Sequence, residues 1–144
     1  MTNSETAIIR ELKDALVNFI EALIEILPRE SELPIAHTYL VTQANFEQAM
    51  YHIIKRLVPH EAQIRECIEN PAESMNAPFI NDGSIYGGAL TKAATITHYK
   101  EIWVSTNILT DQNRRAILRW SLFLIRIAKK LMILKGITSP DQIS

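Results

Sequence analysis

The chain has only one cysteine, Cys67, so no disulfide can form within it, and it suits a reducing, intracellular compartment. Cys67 lies in an acidic, helix-like stretch between Glu66 and Glu69. Neighbouring carboxylates raise the pKa of a thiol, which opposes the formation of a reactive thiolate. We therefore interpret Cys67 as an inert, small apolar residue rather than as a nucleophile.

No uncharged run in the most apolar segment, residues 110–134, is long enough to cross a membrane. The longest, Trp120 to Ile125, has six residues, whereas a bilayer requires about 20. The first residues, MTNSETAIIRELKD, do not place an apolar stretch after a basic one. We therefore expect neither a membrane span nor a signal peptide.

Motifs for catalysis or ligand binding are also lacking. The four histidines occur singly, and only His98-x-x-Glu101 has a spacing suited to a metal, which is weak without further carboxylates. The glycines at 83, 87 and 88 do not match a phosphate-binding loop, and no nucleophile-elbow motif occurs. We expect a non-enzymatic protein with no catalytic residues, no metal and no cofactor.

Charge is unevenly distributed although the net charge is only −1. Residues 1–27 carry five acidic and two basic side chains, whereas residues 110–144 carry two acidic and seven basic ones. This asymmetry favours an antiparallel contact between the first and last helices. The alternative is that each helix presents a solvated face, since exposed ion pairs contribute only about 0–1 kcal/mol each.

Apolar spacing predicts a chain composed of helices. The first helix begins at the capping box Thr2-x-x-Glu5, has apolar residues every three or four positions, and ends before Pro28. Further helices are predicted over residues 35–43, 46–58, 60–70, 89–104 and 110–134. The second has Pro34 as its candidate first helical residue, and the third is capped by Asn45. The last has a loose cap in Thr110-x-x-Asn113 and ends at Gly136. The prediction is an all-α fold: one domain, residues 1–144, folded as a compact bundle of about five helices.

Two stretches are expected to be irregular. Residues 71–88 contain Pro71, Pro78 and the turn signal Asp82-Gly83, together with apolar residues that suggest packing against another surface. Whether this loop packs on its own domain or contacts a partner stays open. Residues 137–144 form a polar tail.

The last helix combines a broad apolar surface with a basic stripe. Its apolar residues leave an uncovered arc of about 140° at 100° per residue. The basic residues fall in this arc: Arg115, Arg119, Arg126, Lys129 and Lys130. Leu122 and Ile133 intrude on the arc, so the basic face is itself partly apolar. A helix this apolar is normally buried on several sides, and the neighbours can include another chain.

These features favour a structural protein that joins partners, among them copies of itself. Large aromatic residues dominate interface energetics, so the candidate anchors are Phe79, Tyr86, Trp103 and Trp120. The alternative is that both tryptophans are core residues, and for Trp120 this is the better interpretation. One alternative is a regulatory module that binds a partner helix in an apolar groove. A second is a nucleic-acid binder that uses the basic stripe, which the slightly negative net charge disfavours.

Two segments resemble small helical proteins of nucleocytoplasmic large DNA viruses. Residues 19–28, FIEALIEILP, are similar to a helix that ends in a phenylalanine-proline element. Residues 101–103, EIW, with residues 109–120, LTDQNRRAILRW, are similar to a tryptophan-containing helix entry. The chain departs from the pattern at Leu27 and Leu118. The resemblance implies a viral protein, a minor capsid or virion component, and brings no catalytic or ligand residues.

Overall fold

The structure is a computed structural model that describes residues 3–42, 45–77 and 93–140. Its helices are α1 (Asn3–Ile26), α2 (Glu32–Thr42), α3 (Phe46–Arg56), α4 (Glu61–Glu69), α5 (Ala93–Val104) and α6 (Asp111–Lys135). Short 3₁₀ turns lie at Val58–His60 and Pro71–Asn76. These three ranges contain no strand, and the prediction of an all-α fold is confirmed.

Side-chain caps begin two of the helices where the sequence predicts them. The Oδ1 atom of Asn45 accepts a hydrogen bond from the amide of Gln48 at 3.0 Å. Thr110 Oγ1 does the same for the amide of Asn113 at 3.0 Å. Each cap satisfies an amide that the first turn of a helix leaves without a backbone partner.

Gly136 ends α6 in a left-handed conformation, with φ of 69°. The amide of Ile137 donates to the backbone oxygen of Met132 at 2.8 Å, and the amide of Gly136 donates to that of Ile133 at 3.2 Å. This pair of bonds is the Schellman arrangement, which requires positive φ at the residue after the helix. The predicted role of Gly136 is confirmed.

The start of α2 differs slightly from the prediction. The helix begins at Glu32, so Pro34 lies inside its first turn rather than at its first position. Proline is tolerated there because the first amides of a helix have no intrahelical acceptor. The predicted irregular stretch of residues 71–88 begins with the 3₁₀ turn Pro71–Asn76, and residues 78–88 lie outside the described ranges.

Two compact units divide the chain, and the prediction of one domain over residues 1–144 stays a prediction. The first unit comprises Met1–Pro59 and Phe123–Ser144, and the second comprises His60–Leu122. The final helix thus contributes its second half to the first unit and its first half to the second unit. The predicted tail, residues 137–144, belongs to the first unit and is described as far as residue 140.

In the first unit, helix α1 packs against α2 and α3, and the second half of α6 supplies much of the core. Lys130 Nζ lies 2.8 Å from Glu11 Oε1, and Lys135 Nζ lies 3.7 Å from Glu5 Oε2. Residue numbers that increase along α1, from Glu5 to Glu11, pair with numbers that decrease along α6, from Lys135 to Lys130. The two helices are therefore antiparallel here, and the predicted antiparallel contact is confirmed. Within α1 only Leu12 and Ala15 are buried, and the rest of its predicted apolar seam is half-covered.

In the second unit, the start of α6 and the end of α5 surround a core that includes polar groups. Its buried apolar side chains include Ile64, Ile102, Leu109, Ile117 and Leu118. Buried with them are Arg114, Ser74 and Ser121. The polar members are hydrogen-bonded, as buried polar groups must be to avoid a large desolvation cost.

Candidate functional site

The outer side of α2 is a largely apolar surface that is uncharged after Glu32, the first residue of the helix. Residues 33–46 contain no aspartate, glutamate, lysine or arginine. Leu33 is buried, whereas Ile35 is 69% exposed, Tyr39 53% and Val41 49%. Ile35 and Tyr39 are one helical turn apart and so lie on the same side of the helix. We call Ile35, Thr38, Tyr39, Val41 and Thr42 the α2 outer face.

The two threonines of this face do not offer free hydroxyl donors to solvent. Thr38 Oγ1 donates to the backbone oxygen of Pro34 at 3.1 Å, and Thr42 Oγ1 donates to that of Thr38 at 2.6 Å. Because each hydroxyl is directed back at the helix, the methyl groups of both side chains contribute to the outer surface. The α2 outer face is therefore more apolar than its sequence suggests.

A polar contact on the opposite side holds α2 against α1. The Nε2 atom of His37 lies 3.1 Å from Glu21 Oε1. Leu33 is buried on this inner side, and Ala36 and Leu40 are half-buried. Because the inner side of α2 packs against α1, Ile35 and Tyr39 on the opposite side of the helix point away from the first unit.

The predicted basic stripe of α6 lies mostly at the surface. Arg119, Arg126 and Lys130 are exposed, and Arg115 is half-buried. In the first unit the stripe includes Arg126 and Lys130, and Lys130 forms the ion pair with Glu11 described above. Large apolar side chains are exposed beside it in the same unit: Phe123, Ile133 and Leu134. Of the two apolar residues predicted to intrude on the basic face, Ile133 is exposed and Leu122 is half-buried.

Of the four aromatic anchor candidates, two lie within the described residues and differ in burial. Trp103 is only 5% exposed, and its Nε1 donates to the backbone oxygen of Ser74 at 2.7 Å. A ring enclosed and hydrogen-bonded in this way is a core residue, which corrects its assignment as a surface anchor. Trp120 is half-buried. Phe79 and Tyr86 lie outside the described residues.

Arg114, which no sequence motif indicated, is only 1% exposed. Its Nε donates to the backbone oxygen of Trp103 at 2.6 Å and its Nη2 to that of Ser105 at 3.0 Å. Nη1 lies 3.0 Å from Asp111 Oδ1. The guanidinium thus satisfies backbone oxygens at the end of α5, and a donor set used in this way is structural rather than catalytic.

A helical projection of the sequence would have identified Arg114. At 100° per residue it falls in the middle of the arc occupied by Ile117, Leu118 and Ser121, all of which are buried. A charged residue in an apolar arc must be paired or hydrogen-bonded. The corresponding signal for the α2 outer face is the uncharged run of residues 33–46.

Cys67 is buried, and its thiol donates to the backbone oxygen of Glu73 at 3.3 Å. Burial raises the pKa of the Cys67 thiol above its ordinary value of 9.0, and the charges of Glu66 and Glu73 raise it further. The thiol therefore stays protonated at neutral pH, as an unreactive side chain does.

Residues 3–42, 45–77 and 93–140 contain no group of three or more His, Cys, Asp or Glu side chains arranged to hold a metal ion. None of the helices within those same ranges is long and apolar enough to span a bilayer. Comparisons with protein-family models, curated proteins and solved structures found no match to the chain.

Proposed function

We propose that this protein is a non-enzymatic assembly subunit whose copies associate through the α2 outer face. The observation that carries the proposal is the exposure of Ile35 and Tyr39 on a helix side whose formal charge is limited to Glu32, at the start of α2. Fully burying an aliphatic side chain of this size contributes about 1.5–3 kcal/mol. A second molecule packed against Ile35 and Tyr39 would bury both side chains and provide this free energy.

A second copy of the chain is favoured as the occupant by the charge pattern. Two charged faces of one sign repel each other when identical copies meet, whereas the five residues of the α2 outer face carry no formal charge and the acidic Glu32 lies at the edge of the face. Pairing about a two-fold axis would place Ile35 and Tyr39 of one copy against the same residues of the other. Tyrosine is also enriched among residues that dominate interface energetics.

A more specific form of the proposal is a cementing protein, a minor capsid or virion assembly subunit of a virus. Its support is the resemblance of residues 19–28 and 101–120 to small helical proteins of large DNA viruses. An all-α subunit with an exposed apolar helix side suits such a role, because a cementing protein joins neighbours through surfaces rather than through chemistry.

The test is a pair of substitutions that removes the apolar character of the face while preserving helix propensity. Ile35→Gln with Tyr39→Gln should raise the Kd of self-association by about tenfold or more, since each loses buried apolar area. Sedimentation velocity measures the Kd, and circular dichroism verifies that the helical content is unchanged.

A matched control comes from the second unit, where Ile108 is 49% exposed. Ile108→Gln removes a comparable exposed aliphatic side chain and should leave the Kd within about twofold of wild type, as is usual for surface changes outside an interface. Equal Kd values for the wild type and the α2 double variant would reject the proposal. A stable monomer that captures a partner helix would favour the groove-binding regulator instead.

A further inference from the structure

The second half of α6 carries an outward stripe that mixes positive charge with apolar bulk. Phe123, Arg126, Lys130, Ile133 and Leu134 are all exposed and lie within an arc of about 100°. The first four positions follow the alternating spacing of three and four residues that is typical of a helix–helix seam, and Leu134 lies one turn after Lys130. We call these five residues the α6 stripe.

Two copies of this stripe are poorly suited to each other, because Arg126 and Lys130 would face the same charges across a two-fold axis. The occupant should therefore carry acidic residues on a helical face. It should also offer apolar side chains opposite Phe123 and Ile133.

The outer side of α1 in the same unit has this complementary chemistry. Asp14, Glu21 and Glu25 are exposed and lie within an arc of about 40°. Val17 and Ile24 are half-buried along its edge. Residues 14–25 and residues 123–134 have the same length, which at 1.5 Å per residue is about 16 Å.

We propose that the α6 stripe of one copy binds the acidic outer side of α1 of another copy. The proposal rests on self-assembly as proposed above, but it assigns a second and chemically different contact. Because the two faces differ, the contact is heterologous, so it extends an assembly beyond a dimer unless a ring closes. The α2 outer face and this contact together would build larger assemblies.

Intramolecular pairs determine which residues can be changed in a test. Lys130 is paired with Glu11 and Glu21 contacts His37 within one copy, so those residues are left intact. Arg126, Asp14 and Glu25 are the charges to exchange. One variant carries Arg126→Glu, and the other carries Asp14→Lys with Glu25→Lys.

Each charge variant alone should weaken the salt-sensitive association. Arg126→Glu cancels the charge of Lys130 on the α6 stripe, and Asp14→Lys with Glu25→Lys gives the outer side of α1 a net positive charge. In an equimolar mixture, the unchanged α6 stripe of one variant can bind the unchanged outer side of α1 of the other. The two substituted faces also carry opposite charges at the exchanged positions. Sedimentation velocity at low salt should show species above the dimer for the wild type and for the mixture. Each variant alone should require about tenfold higher concentration to form them.

A matched control for the charge change is Lys55→Glu in α3, an exposed lysine of the same unit that lies outside both faces. It should assemble as the wild type does. Repeating the mixing experiment with both charge variants in the Ile35→Gln, Tyr39→Gln background separates the α6–α1 contact from the α2 outer face. Restored association there supports the α6–α1 contact even if the α2 outer face proves inactive.

Three results would overturn this inference. One is a mixture that associates no better than its components. Another is a wild type with no species above a salt-resistant dimer, which leaves the proposed function standing. The third is loss of binding to anionic vesicles or to duplex DNA in the Arg126→Glu variant without any change in self-association, which would assign the stripe to lipid or nucleic acid.

Discussion

The Nε atom of Arg114 donates a hydrogen bond of 2.6 Å to the backbone oxygen of Trp103, at the end of the preceding helix. The same guanidinium reaches Ser105 and Asp111. The Trp103 side chain in turn donates to Ser74. Through these contacts one buried cation connects α6, the end of α5 and the Pro71–Asn76 turn of the second unit.

Removal of this cation should destabilise the second unit. Arg114→Met fills much of the space but leaves the oxygens of Trp103 and Ser105 without their donor, so we expect a loss of about 2–4 kcal/mol. Urea unfolding followed by tryptophan fluorescence measures it, because both tryptophans belong to this unit. The neighbouring Arg115→Met should cost less than about 1 kcal/mol. Similar losses for the two variants would contradict the assigned role of Arg114.

A second prediction concerns the indole of Trp103. Trp103→Phe retains most of the aromatic volume but removes the donor to the Ser74 oxygen, so the second unit should lose about 1–2 kcal/mol. Trp120→Phe, at a half-buried position, is the control and should cost less. Each variant keeps one tryptophan as its own fluorescence probe. If Trp103→Phe were neutral, the hydrogen bond would not contribute to stability.

Gly136 provides a third prediction because it adopts a φ of 69°. A β-carbon built there would meet no atom within 4 Å, so the cost of Gly136→Ala is conformational and not steric contact with neighbours. We expect a loss of about 1 kcal/mol. Gly136→Asn should fall between alanine and wild type, because asparagine tolerates this conformation better. Thermal unfolding followed by circular dichroism gives the order of the three stabilities. A Gly136→Ala variant as stable as the wild type would refute this prediction.

The raised pKa of Cys67 predicts a pH dependence. Folding favours the neutral thiol, so its stabilising effect is complete below the unfolded pKa of about 9.0 and is lost as pH rises through the higher folded pKa. Wild type should lose more stability than Cys67→Ala between about pH 8 and pH 10. Urea unfolding at each pH measures the difference. If the free energy of unfolding changed with pH in parallel for wild type and Cys67→Ala, the thiol would have the same pKa in the folded and unfolded states.

Much of the fold could be predicted because it depends on local signals. The caps at Asn45 and Thr110 and the glycine at 136 each specify a helix end from a few neighbouring residues. The charge asymmetry likewise predicted the antiparallel contact between α1 and α6, which is realised in the pair Lys130–Glu11.

The burial of Trp103 depends on a contact between distant positions, and the apolar character of the α2 outer face depends on side-chain conformation. Trp103 was interpreted as a surface anchor because its sequence context does not reveal that Ser74, 29 positions earlier, accepts from its ring. The apolar character of the α2 outer face depends on where Thr38 and Thr42 direct their hydroxyls. Composition alone cannot supply either fact, because the first requires a contact across 29 positions and the second requires the side-chain conformation of each threonine.

Light scattering on the purified chain over a roughly hundredfold concentration range tests self-association most directly, since oligomer populations follow mass action. Comparing about 0.05 M with about 0.5 M salt separates apolar from electrostatic contacts. The account predicts a concentration-dependent dimer that persists at high salt and larger species that form only at low salt. A monomer at every concentration in both conditions would contradict it.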